Sequence, residues 1–348
     1  MQALVLAGGE GTRLRPLTLS VPKPVMPLAG RPFLTFMLDW LSEHGVEEAI
    51  LSCGFLSDGV EKVLGHRHGS MTIEYVVESE PLGTAGPVRL AHDRGLLADR
   101  FLVLNGDALT DLDLTAEIAQ HERTGAAATL ALIAVDDTSS YGVVPTAADG
   151  RVEAFLEKSP GPAPTNRINA GAYVLEREVV VRIPPERAVS FEREVFPSMI
   201  GEGLYGYMAA GYWIDIGTPE RYLEATYDLL ADRVRSTLPP RDETGSLVGE
   251  GCITSGARIG PMSVLGRHCS VGDESVVERS VLLDDVRVGS ECVVTGAVLA
   301  EGVRVEDGAR VDEMAIVGAG ATVASGSRVA AGTRIEPGVR VDAGARVR

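Results

Sequence analysis

From residue 247 onward an aliphatic side chain returns every six residues. The series runs Leu247, Ile253, Ile259, Leu265, Val271, Val277 and Leu283. It slips through Val288 and Val294, then resumes as Leu299, Val305, Val311, Val317, Val323, Val329, Ile335, Val341 and Val347. One six-residue strand cannot bury its aliphatic residue alone, so successive coils must stack around a shared apolar core, a parallel β-helix. Hexapeptide solenoids wind left-handed, against the usual crossover hand. Gly326, Gly332, Gly338 and Gly344 recur just before the turns.

Upstream the pattern changes. Strand-like runs at Ala3–Leu6, Glu48–Ser52, Ile73–Val77, Phe101–Leu104 and Thr129–Val135 alternate with helical stretches at Pro32–His44, Ala85–His92 and Leu114–Arg123. Alternating β and α elements imply a Rossmann-like, mostly parallel sheet covered by helices, with ligands at the carboxyl ends of its strands. Polar residues around Pro239-Pro240 form the connector, giving domains at 1–235 and 247–348 joined by 236–246.

The first strand runs into a glycine-rich loop, Leu6-Ala7-Gly8-Gly9-Glu10-Gly11-Thr12-Arg13. Glycines let backbone N–H groups close on an anion without Cβ obstruction. A P-loop is excluded because no lysine follows until Lys23, and a dinucleotide fingerprint because Leu14 stands where its third glycine belongs. Arg13, Arg15 and Lys23 supply countercharge for phosphates. Only Lys23, Lys62 and Lys158 are lysines among 32 basic residues, so a lysine marks a place that a guanidinium does not suit. Lys62 reads as the solvated face of a short helix, whereas Lys23, between two prolines, reads as extended and outside any helix. Lys158 ends the strand-like Phe155-Leu-Glu-Lys158.

Two aspartates follow apolar strands: Asp107 in Asn105-Gly106-Asp107, and Asp215 in Gly211-Tyr-Trp-Ile-Asp215. Separately, each reads as a turn cap or a polar strand residue. Together with a phosphate loop, they suit one Mg²⁺, which takes oxygen ligands and bridges phosphates. The net charge of −17 disfavours nucleic acid or an anionic membrane as partner, so an anionic substrate must meet a local basic pocket. Cys53, Cys252, Cys269 and Cys292 lack metal-ligand spacing and read as reduced, buried thiols of a cytoplasmic protein. His66-Arg-His68 reads as a polar, glycine-flanked loop rather than a metal site.

In order, LAGGEGTRLRPLT, PKP, EPLGTAGP, NGD, YGVV, FLEK, INAG and GYWIDIGTP, followed by the hexapeptide repeats, resemble the sugar-1-phosphate nucleotidyltransferases, nearest their guanylyl-transferring branch. The resemblance implies that Leu6, Ala7, Gly8, Gly9 and Gly11 hold the nucleotide, and that Glu80, Gly83 and Thr84 contact the nucleoside. It implies that Arg13 and Lys23 act on the triphosphate, that Asp107 and Asp215 hold Mg²⁺, and that Asn105, Gly142, Glu157, Lys158 and Asn169 hold the sugar phosphate. Ser159 intervenes before Pro160, where the family has proline directly after the Glu-Lys pair.

The expected substrates are GTP and mannose 1-phosphate. Glucose 1-phosphate with dTTP or UTP, and heptose or cyclitol 1-phosphates with GTP or ATP, are the alternatives. Glu80 is a candidate acceptor for guanine's two adjacent donors. The β-helix is expected to make a homo-oligomer. Two other classes stand beside this reading. A hexapeptide acyltransferase would need a catalytic histidine, and His268 is the one available on the repeats; a non-catalytic relative would have lost Arg13, Lys23 or an aspartate, and all are present.

Overall fold

The computed structural model describes residues 1–54, 56–139, 141–156, 163–254 and 256–348. Contacts divide the chain into two units, Met1–Gly9 with Met37–Trp213 and Glu10–Phe36 with Ile214–Arg348.

In chain order, the main elements before the repeats are β1 (Gln2–Leu6), α1 (Leu34–Glu43), β2 (Glu48–Cys53), α2 (Ser57–Leu64), β3 (Arg67–His68), β4 (Met71–Val77), α3 (Gly86–Asp93), β5 (Arg100–Asn105), β6 (Ala108–Thr110), α4 (Leu114–Thr124), β7 (Ala128–Ala134), β8 (Arg167–Glu176), β9 (Leu204–Met208), β10 (Trp213–Asp215) and α5 (Pro219–Leu230). The first unit holds an eight-stranded sheet in the order β9-β7-β8-β5-β1-β2-β4-β3. The run β5-β1-β2-β4 is parallel, while β8 lies antiparallel to both neighbours. Ala3, Leu4 and Val5 are buried, as expected of a central strand covered on both faces. Asp113 caps α4 by accepting from Ala116 N–H (3.0 Å), and Gly125 ends it at φ 59°. The sequence reading missed β8 and β9, whose alternation is weak. It also placed His66–His68 in a loop, where Arg67–His68 pairs with Thr72 and Met71 and His68 Nε2 sits 2.6 Å from Asp39.

The second unit is built on a left-handed parallel β-helix of three sheets, with six, six and five short strands. Its registers correct the six-residue beat. Leu265 aligns with Val248, Leu282 and Leu299, so these coils are 17 residues long; Leu299, Val317 and Ile335 then align at 18. Leu247 and Ile253 thus precede the inward positions, and Leu283 follows one. Ile253 bridges Ser270, whose strand neighbour column carries Arg287, and it is 65% exposed. The missing residue per early coil is what made the beat slip.

Side chains alternate across each short strand, so every sheet has an outward column as well as a core column. Two sheets send arginines outward: Arg258, Arg310, Arg328 and Arg346 on one, Arg287, Arg304 and Arg340 on the other, all exposed. The remaining sheet sends out Leu247, Val264, Val281, Val298 and Ile316, all at most 4% exposed, and then Arg334. Removing such a side chain from water contributes about 1.5–3 kcal/mol each. Other parts of the same unit pack on the solenoid beside it. Leu17, Val21, Met26 and Pro27 share a crevice with Leu283 and Ala300, and the Tyr227 hydroxyl of α5 donates to Arg279 O (2.5 Å) beneath the Arg279 guanidinium.

Candidate active site

In the first unit, the carboxyl ends of β1, β2 and β5 converge. Leu6 pairs with both Ser52 and Asn105, Ala7 N–H donates to Ser52 O (2.8 Å), and Gly106 N–H donates to Leu6 O (2.9 Å). A Cβ on Gly106 would lie 2.7 Å from Leu6 O, so glycine is what lets the Asp107 turn close on the Leu6–Gly9 loop. A Cβ on Gly8 would meet Glu78 Oε1 at 2.9 Å. Glu78 accepts from Ser52 Oγ (2.8 Å) and Leu82 N–H (3.0 Å), locking the loop that carries Glu80, Gly83 and Thr84. The sequence reading passed over Glu78. Glu80 itself is exposed.

Gly83 is obligatory: at φ 76°, any Cβ would meet Val189 O at 2.5 Å. The Thr84 hydroxyl donates to Glu192 Oε2 (2.8 Å) and accepts from Phe191 N–H (2.8 Å), so a nucleoside contact here falls to its remaining lone pair or main chain.

A pocket of about 610 Å³ opens beside this loop, lined by Asn105, Tyr141, Gly142, Asn169, Glu192 and Arg193 among others. Its floor is a hydrogen-bonded chain. Asn169 Nδ2 donates to Tyr173 Oη (2.7 Å), Tyr173 O–H donates to Glu192 Oε1 (3.2 Å), and Gly171 N–H donates to Asn169 Oδ1 (2.9 Å). Burial pushes the Tyr173 phenol up, so it stays protonated and donates. Phe155 lines the pocket and stacks on Phe196 at 5.8 Å, which in turn stacks on Phe191 at 4.8 Å, a buried aromatic cluster behind the lining. Glu192 and Arg193 sit in a π-helical turn, Phe191–Val195, and left no local sequence signal. Glu157 and Lys158 lie outside the described residues, as do Ser159 and Pro160.

The second unit gathers Gly11, Arg13, Lys23 and the segment after Asp215. Thr18 Oγ1 donates to Gly11 O (2.8 Å), and a Cβ on Gly11, at φ 62°, would lie 3.3 Å from Lys23 Cβ. Lys23 is 8% exposed. It does not stand extended: Lys23–Val25 form a 3-10 turn, because Pro24, near the turn's start, has no N–H that the turn would need. The Arg13 guanidinium lies close against Gly217, where a Cβ would come within 2.8 Å of Nη2 and 3.1 Å of Cζ. Asp107, in the turn between β5 and β6, and Asp215, the last residue of β10, are half-buried carboxylates. Hard oxygen donors of this kind suit Mg²⁺; among the described residues no group of three or more His, Cys, Asp or Glu side chains could hold a metal ion.

Lys62 is exposed on α2, as read. His268 sits exposed at a corner with φ 56°. Cys53, Cys269 and Cys292 are buried and Cys252 is only half-buried, without disulfides. Burial pushes the Cys53 and Cys269 thiols up to about 12, which leaves both unreactive. Among the described residues no helix is long and apolar enough to cross a membrane.

Residues 2–232 match the family model described as Nucleotidyl transferase, and residues 240–315 that described as GlmU-like, C-terminal hexapeptide. A mannose-1-phosphate guanylyltransferase of Mycobacterium tuberculosis is 44% identical over 270 residues, 76% of this chain and 73% of its own length. A probable mannose-1-phosphate guanylyltransferase 2 of Arabidopsis thaliana is 39% identical over 283 residues, covering 76% and 75%. The crystal structure of HddC from Yersinia pseudotuberculosis, complexed with GMP-PN, is 30% identical and has a TM-score of 0.55 over 64% of this chain and 97% of that one. With a glycine loop at the sheet's carboxyl edge, a polar pocket beside it and both family models matched in order, the chain belongs to the nucleotidyl transferase family and is a nucleotidyltransferase carrying a hexapeptide β-helix.

Proposed function

We propose that the chain joins GTP and mannose 1-phosphate into GDP-mannose, releasing pyrophosphate. The observation that carries this reading is the pocket lined by Asn105, Tyr141, Asn169 and Arg193: amide, hydroxyl and guanidinium groups backed by a buried aromatic cluster suit a polyhydroxylated ring bearing an anion. The guanylyltransferases among its relatives support the choice of base and sugar. In this reading Leu6–Gly9, Gly11, Gly83 and Thr84 hold the nucleotide, Glu80 accepts from guanine, and Glu157 and Lys158 complete the sugar-phosphate site.

The nucleophile is already anionic. A phosphate oxygen of the sugar 1-phosphate attacks the α-phosphorus of GTP, and the bond from that phosphorus to the bridging oxygen breaks in line. No general base is needed; two anions must be brought together and the leaving pyrophosphate's charge neutralised. Arg13 and Lys23 perform that neutralisation. Asp107 and Asp215 would hold Mg²⁺, which would supply further charge neutralisation for the phosphates.

The reading takes residues 1–235 as catalytic domain, 236–246 as connector and 247–348 as the surface through which copies assemble in the cytoplasm. It is tested by pyrophosphate release across four NTPs and several sugar 1-phosphates. GTP with mannose 1-phosphate is expected to turn over fastest; a faster rate with dTTP and glucose 1-phosphate, or with ATP and any sugar, would overturn the substrate assignment.

A further inference from the structure

Arg334 breaks the apolar outward column of the β-helix, and its guanidinium has a destination. Nη1 donates to Arg13 O (3.2 Å) and Arg15 O (3.0 Å), main-chain carbonyls of the glycine-rich segment more than 300 positions earlier. Those carbonyls end a 3-10 turn, Thr12–Leu14, closed by Leu14 N–H to Gly11 O and Arg15 N–H to Thr12 O. The residue three beyond Arg13 is Pro16, which has no N–H, so the turn cannot continue and Arg13 O has no main-chain donor at that place. A cation at the carboxyl end of a turn is favourable on electrostatic grounds as well. Arg334 also lies close enough to Glu220, in the first turn of α5, to help hold that carboxyl below its usual range, after the larger effect of the Thr218 hydroxyl. Arg13 is therefore bounded twice: its main-chain carbonyl accepts from Arg334, and its guanidinium lies close against Gly217.

We propose that Arg334 is a positioning residue for the nucleotidyl transfer, a group on the β-helix that fixes the backbone from which Arg13 reaches the phosphates. The proposal rests on the reading of Arg13 as a phosphate ligand. In this role Arg334 acts through the main chain that carries Arg13 rather than on the substrate itself. The outward arginines of the two polar faces have no such part.

The test is a double-mutant cycle of Arg13→Ala and Arg334→Ala, followed by initial rates of pyrophosphate release and by thermal melts. Arg334→Ala is expected to lower kcat/KM for the nucleotide five- to tenfold, with the KM for sugar 1-phosphate and the melting temperature unchanged. In the Arg13→Ala background the same substitution is expected to change kcat/KM by less than twofold, because the group it positions is gone. Arg334→Lys, able to serve one carbonyl, should recover part of the loss, and Arg310→Ala, on a polar face, should behave as wild type. Losses that multiply in the double variant would overturn the proposal alone. An Arg334→Ala enzyme with wild-type kcat/KM would do the same. An Arg13→Ala enzyme with wild-type activity would instead bring down the phosphate reading of Arg13, and the proposal with it.

Discussion

Gly217→Ala adds a single carbon directly beside the guanidinium of Arg13. The new Cβ would lie 2.8 Å from Arg13 Nη2, 3.1 Å from Cζ and 3.3 Å from Nη1. Ordinary carbon contacts begin near 3.5 Å, so the guanidinium must retreat by about 0.7–1 Å. Gly217 does not adopt a left-handed conformation, so alanine fits its backbone, and the atoms that must move are the far end of a flexible side chain. The fold therefore loses little and gains slightly from a stiffer unfolded chain, up to about 1 kcal/mol. A misplacement of 1 Å at a group that meets transition-state charge costs about 10²-fold, or about 2.7 kcal/mol. The assay is kcat/KM by pyrophosphate release alongside a thermal melt: activity should fall about a hundredfold while the melting temperature holds or rises. If Gly217→Ala keeps activity within about threefold of wild type while Arg13→Ala is crippled, the seating of Arg13 on Gly217 has no catalytic meaning.

Asp107→Asn and Asp215→Asn should each leave less than about a tenth of turnover at saturating Mg²⁺, with unchanged melts, because an amide holds the cation poorly; retention above that level removes the residue from the metal site. Lys23→Arg should be nearly as damaging as Lys23→Ala, since a buried ammonium-sized place does not take a planar fork, while Lys62→Arg on exposed α2 should be silent; equal tolerance at both ends the argument. Glu117 is buried in α4, and burial raises its carboxyl well above the ordinary value of 4.5, outweighing the main chain of Ala131, which favours the charged form. A raised folded-state value means stability is intact below the unfolded value and lost as pH climbs toward the folded one. Denaturant titrations should show Glu117→Gln gaining on wild type by about 1.4 kcal/mol per pH unit above the ordinary glutamate range, and parallel pH profiles would show that Glu117 is not held neutral.

The parts of this molecule that could be read from sequence are those with a local period. Ala3–Leu6, Phe101–Leu104 and the solenoid's aliphatic series announce themselves because burial repeats along the chain. What escaped depends on closure between distant segments. Glu78 matters because Gly8 has no Cβ beside it, and Glu192 because Thr84 arrives 108 residues away in sequence. Lys23 was misread because proline's ban on helices relaxes within a first turn, and Leu247, Ile253 and Leu283 because a coil may drop one residue without interrupting its sheets. Arg334 looks like any other arginine in an Arg-Val or Arg-Ile pair. Only the registers show that it stands in the one column where its predecessors are apolar.

That column gives the solenoid the character of a ruler. Each coil advances the chain by one strand spacing, about 4.8 Å, so Arg334, sixth in its column, stands about 24 Å along the axis from Leu247. Removing one whole internal coil would leave core, corners and sheets matched, and a protein selected for folding alone would tolerate it. The guanidinium would nonetheless arrive about 4.8 Å from the two carbonyls it serves, beyond the reach of a hydrogen bond. Repeat number, which solenoids commonly vary, is here a calibrated distance, set in steps too coarse for evolution to adjust by halves.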